Sequence, residues 1–272
     1  TDEAFAFYSS NENEQITMHL AFISKKEGKW AVRGDGTVSA SSVSNITFAD
    51  LDADGTLEVV TGWGMYGGTG KQVTVHDISG DIMIQRLSEE CNFFLIADLN
   101  KDSIENLYTS YLSLADKTAI AKVFSIDNSG VSELGSCSLD ANVASYSTPI
   151  IASLADGRPA VYIDAIKGNG MITEVVYFEN GQLKNGFIDS LTLSNNATYR
   201  EGSTPVYDFD SDGVPEIPLV TALPSSHTEP EPSYVTRWCS FDGENLFVKA
   251  TAVMNYADGY YAIIPDKLKN TQ

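Results

Sequence analysis

FADLDADGTLEVVTGW (Phe48–Trp63) is rewritten twice along the chain, as IADLNKDSIENLYTSY (Ile96–Tyr111) and VYDFDSDGVPEIPLVT (Val206–Thr221). The shared core is D-x-[DN]-x-D-[GS]-x-x-[EN], and a β-rich run follows each copy at once. The ninth position of this template falls on Glu3, Glu58, Asn106, Ala160 and Glu216. The Ala160 copy, IIASLADGRPAVYIDAI (Ile150–Ile166), is degenerate and lacks two residues of the loop. Thr1-Asp2-Glu3-Ala4 overlays Thr56-Leu57-Glu58-Val59. The overlay predicts an acidic loop ahead of Thr1, in a longer parent chain. Self-similarity at roughly 50 residues is the signature of propeller blades and related arrays, whose units are too small to bury their own apolar faces.

Within a unit every signal is strand-like. After the first acidic loop come LEVVTGW, a Gly-rich turn, KQVTVHDI, a Ser-Gly-Asp turn and IMIQRL, and the next unit opens with NFFLIADL. These are short alternating or β-branched runs bounded by Gly, Asn, Asp and Ser. Asn-Ser-Gly (128–130) and Glu-Asn-Gly (179–181) supply the positive-φ residues that tight hairpins need. The expected fold is all-β: one β-propeller domain over residues 1–272 with five four-stranded blades. Glu3 onward would supply strands two to four of the first blade, and complete blades would open near Ile46, Phe93, Thr148 and Thr204. The terminal run Gly259–Pro265 would then fill the first position of the opening blade, so that both chain ends share one sheet. The proline-rich stretch Leu223–Ser233 is expected to project as a loop from one face.

The template spacing suits a divalent cation. Side chains at positions 1, 3 and 5 of a tight loop converge, Gly at position 6 permits the turn, position 7 offers a carbonyl and position 9 returns a carboxylate. A hard oxygen set of this kind favours Ca²⁺. The ligands expected are Asp50, Asp52, Asp54, the Thr56 carbonyl and Glu58 in the first loop, and Asp208, Asp210, Asp212, the Val214 carbonyl and Glu216 in the last. The middle loop offers Asp98, Asn100, Asp102, the Ile104 carbonyl and Asn106, with Ser103 in the glycine position, and weaker binding is expected there. The Ala152–Ala160 copy has lost its acidic set. An EF-hand is excluded, because position 12 is Thr61, Thr109 or Leu219 and Pro215 with Pro218 bars a following helix.

Other motifs carry less. Lys plus Arg number 17 against 37 Asp plus Glu, a formal charge of −20, which disfavours nucleic acid and anionic membrane surfaces. No apolar run reaches the roughly 20 residues of a membrane span. Cys91, Cys137 and Cys239 lack metal or redox spacing and read as buried free thiols, the alternative being a Cys91–Cys137 pair on adjacent strands. His19, His76 and His227 fall in no metal or triad spacing, and no catalytic residue is assigned. Arg33-Gly34-Asp35 reads as an accidental triplet in a Gly-rich turn, and Gly67–Lys71 as a hairpin rather than a phosphate loop.

On the repeated acidic loops the chain resembles the FG-GAP/VCBS repeat family, over most of its length. It lacks the Phe-Gly and Gly-Ala-Pro landmarks and so is similar to the looser VCBS-like branch. The resemblance implies an extracellular β-propeller with Ca²⁺ in the loops between first and second strands. The expected protein is a bacterial, secreted or surface-anchored monomer, a lipoprotein among the options, which recognises a glycan or protein ligand without catalysis. The alternatives are an extracellular polysaccharide-processing enzyme with its site in the propeller channel, and a purely structural module of a larger surface protein.

Overall fold

A computed structural model describes residues 3–12, 15–66, 70–79, 82–222, 234–255, 260–265 and 267. The described chain is all-β, built from successive antiparallel sheets. β1 (Glu3–Glu12), β2 (Gln15–Lys26) and β3 (Lys29–Val38) form the first sheet in that order. β4 (Ser42–Ala49), β5 (Glu58–Gly64), β6 (Lys71–Ser79) and β7 (Ile82–Cys91) form the second. The third joins β8 (Phe93–Ala97), β9 (Asn106–Ser113), β10 (Thr118–Asp127) and β11 (Gly130–Ser138). The fourth centres on β14 (Pro159–Lys167) and β15 (Gly170–Glu179), flanked by β12 (Ser145–Tyr146), β13 (Ile150–Ser153), β16 (Gln182–Asn185) and β17 (Arg200–Glu201). The last runs β18 (Ile217–Ala222), β19 (Tyr234–Phe241), β20 (Leu246–Asn255) and β21 (Tyr260–Ile263).

Two compact units result, one of residues 1–111 with 121–136, the other of 112–120 with 137–272. In the first unit, Leu20, Val38, Val59 and Trp63 form one apolar cluster, and Leu51, Val60, Val73, Val75 and Leu107 another. β5 is buried from Glu58 to Trp63, and after Glu58 its run VVTGW carries apolar or small residues on both faces. The Trp63 indole N–H, inside the core, donates to Thr74 Oγ1 at 2.8 Å. In the second unit the core gathers Leu154, Tyr162, Val175, Tyr177, Ile217 and Phe241.

The acidic loops sit where the repeat predicted, between first and second strands. The Asp50 loop joins β4 to β5 and the Asp98 loop joins β8 to β9. The degenerate loop joins β13 to β14. The first strand of the last sheet is reduced to a single bridge, Tyr207 to Glu216.

The expectation of uniform four-stranded sheets is corrected, since among the described residues the first sheet has three strands and the fourth six. The expected closure by both chain ends is corrected as well. β21 pairs with β20, Ala252 opposite Ile263, and forms an edge of the last sheet instead of completing the first. Tyr260 lies opposite Asn255, so the pairing closes over a short stretch of chain. Such a closure costs far less conformational entropy than a return to the opening sheet. The Arg33-Gly34-Asp35 triplet is no turn either, since all three residues lie within β3. The stretch Leu223–Ser233, expected as a projecting loop and containing His227, and residues 67–69 lie outside the described residues. No helix among the described residues is long and apolar enough to cross a membrane.

Candidate metal centre

Each acidic loop is built by its first and last residues. Asp50 Oδ1 and Oδ2 accept the amides of Asp54 and Gly55, both at 3.1 Å. Asp208 repeats this with Asp212 and Gly213 at 3.0 and 2.9 Å, and Asp98 with Asp102 and Ser103 at 3.2 and 2.9 Å. The backbone is left-handed at the sixth position, with φ of 86° at Gly55, 72° at Ser103 and 87° at Gly213. Ser103 therefore occupies a conformation that glycine adopts without steric cost. The fourth position is left-handed as well, in Ala53, Lys101 and Ser211, which the template does not reveal.

The ninth residue decides what the loop can hold. Glu58 opens β5 and is buried; its Oε2 accepts the Leu51 amide at 2.7 Å, while Oε1 has no partner among the described residues. Glu216 is the same, with Oε2 on the Phe209 amide at 2.8 Å and Oε1 unpartnered among the described residues. A buried carboxylate oxygen without a donor is costly unless a cation satisfies it. Asp50, Asp52 and Glu58 bring one oxygen each within 4.8 Å of one another, and so do Asp208, Asp210 and Glu216. Two acidic triads that could hold a metal ion are thus present among the described residues.

Burial, with the charges of Asp52, Asp77 and Asp54 acting against the Leu51 hydrogen bond, pushes the Glu58 carboxyl up to about 7. Burial and the Asp210, Asp212 and Asp208 charges push Glu216 to about 7 as well. A bound cation reverses that cost by stabilising the ionised form.

The remaining expected ligands play other parts. Asp54 Oδ1 accepts the Thr56 amide at 2.7 Å, and Asp212 Oδ1 the Val214 amide at 2.9 Å, so both close the turn. Asp102 does this for Ile104 at 2.8 Å, and its Oδ2 accepts from Asn100 Nδ2 at 2.8 Å. Asn106 takes the place of the ninth carboxylate, but its Oδ1 accepts the Leu99 amide at 3.2 Å. What remains buried and unpartnered among the described residues is Nδ2, a donor that cannot ligate a cation. The weaker binding expected of the middle loop is consistent with Asn106 in place of the ninth carboxylate.

Basic side chains meet the loops where the acidic template gives no sign of them. Lys249 Nζ lies 2.6 Å from Asp212 Oδ2 and 3.6 Å from Asp210 Oδ2. In the degenerate loop Arg158 Nε donates to Asp156 Oδ2 at 2.6 Å and its guanidinium also reaches the Asp242 carbonyl at 2.7 Å. No sequence signal links Lys249 to a loop 37 residues earlier; strand register does.

Two further polar groupings leave no sequence signal. Lys167 Nζ is held by Asp140 Oδ2, Ser194 Oγ, the Asn195 carbonyl and Asn196 Oδ1 at 2.7–2.8 Å, which fixes the irregular segment before β17. On β1–β3, Ser10 Oγ lies 2.8 Å from His19 Nε2 and His19 Nδ1 lies 3.2 Å from Asp35 Oδ2. This is the order of a nucleophile, base and orienting acid. Catalysis by such a trio also needs donors fixed on a developing oxyanion. Ser10 instead faces Thr17 across the ladder, and the Tyr8 ring stacks on the imidazole at 4.4 Å. We assign it no catalytic role. Cys91, Cys137 and Cys239 are free thiols, as expected.

No family model matches the sequence, and no curated protein does. Among solved structures, a Bacillus licheniformis rhamnogalacturonan lyase PL11 is similar over 91% of this chain and 65% of its own, at 12% identity and TM-score 0.46. The rhamnogalacturonan lyase YesW matches over 95% and 63%, at 13% identity and TM-score 0.48. The exotype rhamnogalacturonan lyase YesX matches over 95% and 68%, at 12% identity and TM-score 0.47. The chain therefore spans 63% to 68% of the length of those proteins. Likeness at this level assigns no residue a role. The expectation of a non-catalytic recognition module finds no support among them, since all three are named rhamnogalacturonan lyases.

Proposed function

We propose that this chain is a calcium-stabilised β-propeller scaffold, VCBS-like in its loops, within an extracellular polysaccharide-processing protein. The observation that carries the metal half is the pair of buried, unpartnered Oε1 atoms of Glu58 and Glu216, each beside two further carboxylates. Oxygen-only donors on a tight backbone loop suit Ca²⁺ over zinc, which favours nitrogen and sulfur. Successive antiparallel sheets, each of the later ones entered through an acidic or degenerate loop, support the propeller arrangement. A bound cation would tie the loop's carboxylates to the first residue of the second strand, so metal and sheet would stabilise each other.

Polysaccharide processing is the sequence's own alternative reading and replaces the recognition module. Its test is incubation of the full chain with acidic polysaccharides, rhamnogalacturonan among them, with Ca²⁺ or with EDTA. Calcium-dependent ultraviolet absorbance from the unsaturated ends that a lyase leaves is the expected result. Absence of such products across the panel would remove the enzyme half and leave the metal scaffold.

A further inference from the structure

The ladder between β19 and β20 contains one irregularity. Trp238 pairs with Ala250 and Cys239 with Val248, so Lys249 is the extra residue of a β-bulge on β20. The second sheet has the same irregularity at the same place. Val75 pairs with Leu87 and His76 with Gln85, which makes Arg86 the extra residue on β7. The register of the preceding strands fixes the equivalence: His76 lies opposite Val59, one residue after Glu58, and Cys239 opposite Ile217, one residue after Glu216. The first sheet repeats it once more, with Arg33 between Val32 and Gly34, which pair with Ile23 and Phe22. A bulge re-aims the side chain it carries. In all three sheets that side chain is basic.

The sheets differ in what meets the bulge residue. In the second sheet Asp77, next after His76, accepts from Arg86 at 2.6 Å. In the last sheet the position after Cys239 is Ser240, which carries no charge. Lys249 goes instead to the acidic loop, 2.6 Å from Asp212 and 3.6 Å from Asp210. Asp210 is also one of the three carboxylates, with Asp208 and Glu216, that gather at this loop.

Resting on the metal reading above, we propose that Lys249 is a built-in competitor for the cation of the Asp208 loop. The two complete loops, alike in ligands, are thereby two classes of site. The Asp50 loop is the tighter, because Asp77 holds Arg86 away from it. The Asp208 loop is the weaker, because a metal must share its carboxylates with Lys249 or displace it. Substituting the bulge residue, or the strand carboxylate that restrains it, sets the affinity of each loop without altering a ligand.

Calcium titration of the full chain by isothermal calorimetry tests this, with circular dichroism as the check on folding. The wild type should show one tighter and one weaker site, and D208N should delete the weaker class alone. K249Q should tighten the weaker class by about fivefold, the upper range for an exposed charge pair, and leave the tighter one unchanged. D77S should weaken the Asp50 loop, and adding R86Q should restore it, which simple loss of the Asp77 charge would not allow. An unchanged weaker site in K249Q, or two equal sites in the wild type, overturns the proposal while leaving the metal reading intact. Binding at neither loop overturns both.

Discussion

At the residue scale, the decisive group is a carboxylate buried with one oxygen satisfied and one not. Glu58 and Glu216 each commit Oε2 to a backbone amide and hold Oε1 without a donor among the described residues. Without metal this arrangement opposes ionisation, and the sign of its pH dependence follows. Glu58 is raised from 4.5 to about 7, so the folded chain binds the extra proton between those values. The metal-free stability it contributes is fully present below about 4.5 and is lost as pH rises through about 7, at most about 3 kcal/mol by linkage. E58Q removes the charge, so metal-free E58Q should melt higher than wild type at pH near 8 and show a flatter pH profile in thermal scans. The same variant should lose calcium at the Asp50 loop, since its amide leaves an N–H₂ where Asn106 already has one. The acidic template makes these residues visible in the sequence. Which oxygen is free is not visible, because that depends on the amide at the second template position and on burial of the strand that follows.

At the element scale, the loops and strands were legible from period and composition, while register was not. The strand runs between Gly, Asn and Asp punctuation match β5–β8 closely. A one-residue bulge leaves no mark in a single sequence, so the shared placement of Arg33, Arg86 and Lys249 emerges only from pairing. The Ser10, His19 and Asp35 trio has the same origin, since it spans three strands. Gly34 shows why Arg-Gly-Asp belongs to a packed strand: a Cβ there would stand 2.5 Å from the Met83 Cβ. Its neighbours are backbone-anchored atoms of β7, so they cannot yield by rotation. G34A should therefore destabilise the chain by about 1–3 kcal/mol in denaturant unfolding, as overpacking does. An unchanged midpoint would mean that β3 and β7 separate easily at this point.

At the scale of the whole molecule, a net charge of −20 is concentrated in part where cations would offset it. The four internal loops form a graded series. Two carry complete acidic triads, a third has Asn106 in place of the decisive carboxylate, and the fourth pairs its single Asp156 with Arg158. Sheet construction is common to all of them, so the fold does not require metal at every repeat, and metal would stabilise particular sheets. The acidic positions report on strand joining, and nothing in them encodes a substrate. The most direct test of the metal reading is calcium stoichiometry by calorimetric titration of the full chain against the E58Q/E216Q double variant. Two bound ions are expected in the wild type, and none in a double variant that remains folded by circular dichroism. Undiminished binding in the double variant, or no binding in the wild type, would contradict it.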